Sequence, residues 1–158
     1  MWKYFSTLIF IVLVIAAIGF VRNNYYHRIN NPLHTELQLA ANFGELRPDH
    51  FHMGLDIRTA VKEDLPVYAI EDGYISRVKI EAGGYGKAVF VTHTNGFTSL
   101  YAHLNNYSSA VDRYITGQQY KSRSWQQDIE FSAGEFPVSK GDLIAYSGNT
   151  GQSEGPHL

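Results

Sequence analysis

Cysteine is absent from the 158 residues. Disulfides, thiolate metal sites and cysteine nucleophiles are therefore excluded. Charge is scarce: Asp, Glu, Lys and Arg make up 18% of the chain, with a net charge of −2. No basic run occurs, so the electrostatic footprint of a nucleic-acid binder is missing and no nucleic-acid partner is expected. Internal repeats and low-complexity tracts are also absent. Any metal held by this chain has to take imidazole and carboxylate ligands.

What remains is apolar and aromatic. Hydrophobic residues make up 44%, and 14 glycines punctuate the chain. The length suits one domain with a short extra segment. That segment is N-terminal. After Lys3, the stretch Tyr4–Val21 is interrupted only by Ser6 and Thr7. A charged stub followed by such a run reads as a signal peptide or membrane anchor over residues 1–21. Ala17-Ile18-Gly19 offers a small-x-small cleavage site. A buried core helix is the competing reading, but nothing polar would give it an outer face. Residues 22–36, polar and broken by Pro32, read as a tether. The domain proper is expected from Leu37 to Leu158.

Within it, short apolar runs alternate with turn residues. LPVYAI, GYISRVKI, KAVFVTH, FTSLYAHL and DLIAYSG are rich in β-branched and aromatic side chains and read as strands. Glu71-Asp72-Gly73, Gly83-Gly84, Asn95-Gly96 and Lys140-Gly141-Asp142 separate them. Asn95-Gly96 suits a type I′ hairpin. From Ser108 to Gln127 the pattern turns helical, with Ser108 or Ser109 as cap and Val111, Tyr114 and Ile115 on one face. Gly117 is expected to interrupt it, giving one or two short helices that end near Phe131. The fold class is mostly β: an antiparallel sandwich or barrel-like sheet with a short helical insertion and an N-terminal hydrophobic helix.

Seven histidines remain to be sorted. A catalytic zinc usually keeps three protein ligands and one open position. His52 and Asp56 are four apart in HxGxD. On a straight strand their Cα atoms would stand roughly 13 Å apart. Gly54 permits a bend that brings them together. Alone, the pair could equally be two exposed polar residues in a loop. His103 closes a strand pattern in YAHL; a half-buried histidine bonded to a carbonyl is its plainer reading. His157 follows a glycine-rich loop at the chain's end, where a frayed terminus is the alternative. His93 reads as structural, His27 and His34 as solvated. His50, two residues from His52, is a candidate for supporting the site or lining a substrate groove.

Order turns these separate signals into one. FGELR at 43–47, HxGxD, Pro66-Val67-Tyr68-Ala69, Gly84-Tyr85-Gly86, YAHL and SGNTG…GPHL follow one another. From about Ala41 to Leu158 this series resembles the lysostaphin-type zinc endopeptidases. The resemblance implies that His52 and Asp56 are zinc ligands and that His103 and His157 are catalytic. Arg47 has a counterpart in the family and is assigned to a structural salt bridge. The family's HxH pair supplies the third ligand from its second His. Here Leu158 follows His157, so the chain as given is expected to be cut short, to bind zinc poorly and to be inactive.

The resemblance further implies hydrolysis of peptide cross-links or stem peptides of bacterial peptidoglycan. It implies an exported protein of the cell envelope, with the membrane a partner if the N-terminal segment stays uncleaved. No HExxH motif is present, so a thermolysin-like carboxylate base is not expected. The insertion at 108–131 carries Tyr114, Tyr120 and Trp125, which either wall the groove or decorate the fold. The alternative function is a non-catalytic module that binds cell wall or activates another hydrolase. Nothing in the residues speaks to an oligomeric state.

Overall fold

The computed structural model describes residues 29–48 and 50–158. The expected segment 1–21 and residues 22–28 of the tether, His27 among them, lie outside them. Among the described residues no helix is long and apolar enough to cross a membrane.

The fold is mostly β and antiparallel throughout. Among the described residues its strands are β1 (Leu39–Ala41), β2 (Asp56–Ile57), β3 (Pro66–Tyr68), β4 (Gly73–Ile80), β5 (Lys87–His93), β6 (Thr98–Tyr101), β7 (Asn106–Tyr107), β8 (Gln127–Glu130), β9 (Pro137–Val138) and β10 (Leu143–Tyr146), with one helix, α1 (Ser109–Ser122), between β7 and β8. The largest sheet runs β6-β5-β4-β8, with β9 on the start of β4. A second sheet runs β3-β10-β7, and β1 pairs with β2.

The two long strands follow from their side chains. Val78 and Ile80 alternate inward on β4, and Val89 and Val91 on β5, all buried. Ile75 breaks the alternation because the register slips between Ile75 and Arg77. There the Thr92 hydroxyl donates to Ser76 Oγ at 2.8 Å, filling the irregular stretch with polar partners. The core joins these side chains to Val67, Leu104, Val111, Ile115 and Ile144. Each fully buried aliphatic side chain contributes about 1.5–3 kcal/mol.

Three local expectations need correction. The β5–β6 turn is not type I′, because Asn95 does not take a positive φ while Gly96 does, at +87°. Gly96 N–H bonds His93 O at 3.0 Å and His93 N–H bonds Phe97 O at 2.8 Å. That is a three-residue loop with glycine in the left-handed position, forming a bulge. Asn95 Oδ1 accepts from Phe97 N–H instead.

The helix is continuous through Gly117, where an added Cβ would meet open space. A glycine costs a helix about 1 kcal/mol; burying Val111 and Ile115 outweighs that. Ser108 is the N-cap by backbone geometry, without a side-chain cap bond, and Arg123 ends the helix in the left-handed conformation. Tyr114 packs edge-on against Phe131 and Phe136. It anchors the helix to the fold, whereas Tyr120 stays exposed.

The packed chain also reaches further back than Leu37. Leu33 is 1% exposed and belongs to the core. Asn30 N–H bonds Ile70 O, and Tyr68 N–H bonds Pro32 O. His34, expected in solvent, is exposed yet stacks on the Tyr68 ring at 3.8 Å. Leu33→Ala should therefore destabilise the domain by roughly 2–5 kcal/mol. Leu37→Ala, at an exposed site, should stay within roughly 0.5 kcal/mol. Urea denaturation of the two variants checks the contrast.

Candidate metal centre and catalytic histidines

A small hairpin delivers His52. Gly44 N–H bonds His52 O, His52 N–H bonds Glu45 O and Arg47 N–H bonds His50 O, at 2.7, 2.8 and 2.9 Å. Gly44 takes φ +77° at its base. The chain then bends at Gly54 and enters β2 at Asp56. The expected convergence is there: His52 Nε2 lies 3.0 Å from Asp56 Oδ1. Gly54 achieves it without a left-handed φ, and a Cβ there would only touch the His52 ring at 3.5 Å. His50 closes the hairpin through its backbone carbonyl.

His157 arrives from the opposite end of the chain. It bridges Arg58 on one side and Gly148 on the other. Leu158 and Ile57 exchange both backbone hydrogen bonds, at 2.7 and 3.0 Å. The buried Thr59 hydroxyl adds a bond to Pro156 O at 3.1 Å. This pairing puts His157 Nε2 3.8 Å from Asp56 Oδ1. In that register a residue after Leu158 would stand across from Asp56.

His103 follows β6. Its ring centroid is 4.8 Å from that of His157, with the planes at 51°. Its φ is +55°, a conformation costing a non-glycine residue about 1–3 kcal/mol. Burial holds the His103 pKa below the ordinary 6.5; the Thr150 carbonyl works against that shift, and nearby His157 adds to it. The neutral ring is favoured near neutral pH.

One pattern unites the three imidazoles. His52 Nδ1 sits 3.0 Å from Asn42 O, His103 Nδ1 2.8 Å from Thr150 O, and His157 Nδ1 2.7 Å from Gly155 O. Carbonyls only accept, so each Nδ1 carries the proton and each neutral ring keeps a lone pair on Nε2. This is the usual tautomer of a metal-binding or proton-accepting histidine. For His52 and His157 that lone pair lies near the Asp56 carboxylate.

Arg47 completes the group. Its Nη2 donates to Asp56 Oδ2 at 3.0 Å, leaving Oδ1 for the histidines. The expected salt bridge is therefore made to a candidate ligand itself. His52 and Asp56 form a nitrogen–oxygen pair suited to a divalent cation. Among the described residues, no three or more His, Cys, Asp or Glu side chains converge closely enough to hold a metal ion by themselves. His93 stands apart, buried, with its ring nitrogens 3.2 Å from Asp72 O and 2.8 Å from Ser99 Oγ. The carbonyls of Asn42, Thr150 and Gly155 are not legible in the sequence, because a main-chain acceptor carries no residue signature.

Residues 50–120 match peptidase family M23. The chain is 36% identical over 107 residues to "DD-carboxypeptidase/endopeptidase Mpg" of Neisseria meningitidis, an alignment covering 68% of this chain and 19% of that protein. The Neisseria gonorrhoeae protein of the same name aligns equally well. An "Uncharacterized metalloprotease" of Haemophilus influenzae is 36% identical over 115 residues, covering 73% of this chain and 18% of that protein. The chain is thus similar to peptidase family M23, as its ordered motifs implied, and spans about a fifth of the length of these relatives.

The loops behind the site meet at close quarters. Gly86 has φ +66°, and a Cβ on it would collide with the Thr150 carbonyl carbon and Oγ1. Gly86→Ala should destabilise the domain by about 1–3 kcal/mol. Gly83→Ala, whose Cβ would meet nothing within 4 Å, should be tolerated. Denaturant unfolding distinguishes the two.

Proposed function

We propose that this domain is a zinc-dependent endopeptidase that hydrolyses peptide cross-links or stem peptides of bacterial peptidoglycan. The observation that carries the proposal is the set of three carbonyl-anchored imidazoles gathered with Asp56. The name of the Neisseria relatives supports the substrate class. The apolar stretch Tyr4–Val21 supports export to the cell envelope.

His52 Nε2 and Asp56 Oδ1 would hold the metal, with Arg47 keeping the carboxylate in place. When bound, zinc supplies a Lewis acid and lowers the pKa of water towards about 7. The remaining work falls to His103 and His157. His103, kept neutral by burial, is suited to accept the proton of the attacking water at Nε2 and return it to the leaving amine. His157, protonated during the reaction, is suited to stabilise the tetrahedral oxyanion. Both rings are oriented before substrate arrives, which reduces the reorganisation cost of the reaction.

Two measurements test this reading. In a protein whose strand continues with a histidine after Leu158, Asp56→Ala should abolish zinc binding. His103→Ala should keep the metal and lose about 10²- to 10⁴-fold in rate. Equal loss of zinc in both variants would make His103 a ligand instead. Digestion of purified peptidoglycan, read by mass spectrometry, should show new amines and carboxyls within the peptides and intact glycan strands. New reducing ends without peptide cuts refute the proposal. No turnover combined with stimulation of a separate hydrolase would establish the regulatory alternative.

A further inference from the structure

His103 occupies a left-handed backbone conformation and has no helix or long strand to enforce it. Such strain persists only where the surroundings over-determine it. The surroundings here are two loops that meet at Thr150. The Thr150 carbonyl accepts the His103 Nδ1 proton at 2.8 Å. The Thr150 hydroxyl donates to Leu104 O at 2.8 Å and accepts from Lys87 N–H at 2.9 Å. It therefore binds both the residue after His103 and the first residue of β5. Leu104 N–H bonds Lys87 O at 3.0 Å, and His103 N–H bonds Tyr85 O at 2.9 Å. Gln152 N–H bonds Gly84 O at 2.9 Å, drawing the far side of the same loop in. Gly86 and Gly151 lie so close that a Cβ on either would strike the other loop.

We infer that Thr150 is a positioning residue for His103: its hydroxyl ties the two loops together so that its own carbonyl fixes the tautomer and direction of the imidazole. The inference rests on the acid–base role proposed above for His103. Without the hydroxyl, the Leu104 carbonyl and the Lys87 N–H lose their shared partner, and the Thr150 carbonyl keeps only the looser ties of Thr150 N–H to His103 O at 3.4 Å and of Gln152 N–H to Gly84 O to aim it at the ring. Both partners of the hydroxyl are main-chain atoms of the domain itself. Removing the hydroxyl should therefore slow the chemical step and leave binding alone.

The test uses the full-length protein with four forms: unsubstituted, Thr150→Val, Thr150→Ser and His103→Ala. Thr150→Val keeps the shape and removes the hydroxyl; Thr150→Ser keeps the hydroxyl. Turnover of peptidoglycan-derived peptides gives kcat and KM. Side-chain nitrogen–proton NMR follows solvent exchange of the His103 Nδ1 proton, which needs neither turnover nor metal. Thr150→Val should lower kcat about 10- to 100-fold, the range for a misplaced catalytic group. KM should not change, and the Nδ1 proton should exchange faster. Thr150→Ser should restore both readings. An unsubstituted kcat with unchanged proton protection in Thr150→Val overturns the inference. So does a kcat loss that serine fails to rescue, which would show that the hydroxyl alone does not set the ring. Full activity in His103→Ala would instead defeat the acid–base reading, and proton exchange would still decide whether Thr150 sets the ring.

Discussion

The Asp56 carboxylate is the constraint around which the rest is arranged. It stands at the start of a two-residue strand, about one-fifth exposed, and its two oxygens face different partners. Oδ2 takes the Arg47 guanidinium. Oδ1 faces His52 and His157. A single carboxylate thus ties the hairpin at 44–52 to β2 and to the last residues of the chain. These three segments are separated by up to about a hundred residues in sequence, so their meeting depends on the sheet register. The exchange of hydrogen bonds between Ile57 and Leu158 sets that register. A slip of one residue would turn His157 to the opposite face.

Around this centre the protein uses main chain to aim side chains. Each of the three imidazoles is pinned by a carbonyl on a loop, and each loop is fixed from elsewhere. Asn42 is held by the Glu45 carboxylate at its N–H. Gly155 shares the Ser153 hydroxyl with the His157 ring. Thr150 is clasped between Leu104 and Lys87. Backbone carbonyls cannot titrate, so the anchoring persists across the pH range in which the imidazoles change charge.

Much of the architecture was legible in the residues. β4 and β5 announced themselves through β-branched alternation, and the helix through Val111 and Ile115. The order of HxGxD, YAHL and GPHL pointed to the site before any geometry was known. Other elements had no readable signal. β2, β7 and β9 are two residues long, too short for a period. Gly117 read as a break because propensity weighs against it, yet packing on one face decided for the helix. Asn95-Gly96 read as type I′ by its dipeptide; the hydrogen bond from Phe97 to Asn95 belongs to the longer loop instead. Leu33 read as tether because its neighbours are polar, although its own side chain fills the core.

By itself, the sequence determined the chemistry available: no thiols, a short supply of charge, and imidazoles with one aspartate in a fixed order. It also determined where the chain could bend, through its glycines. Only the tertiary structure decided that Arg47 pairs with Asp56, that the His103 and His157 rings adjoin at a tilt, and that the Thr150 hydroxyl bridges Leu104 and Lys87. These are contacts between segments distant in the chain, made largely through backbone atoms that every residue shares. Their selectivity comes from register and loop closure, which residue identities encode only through the fold as a whole.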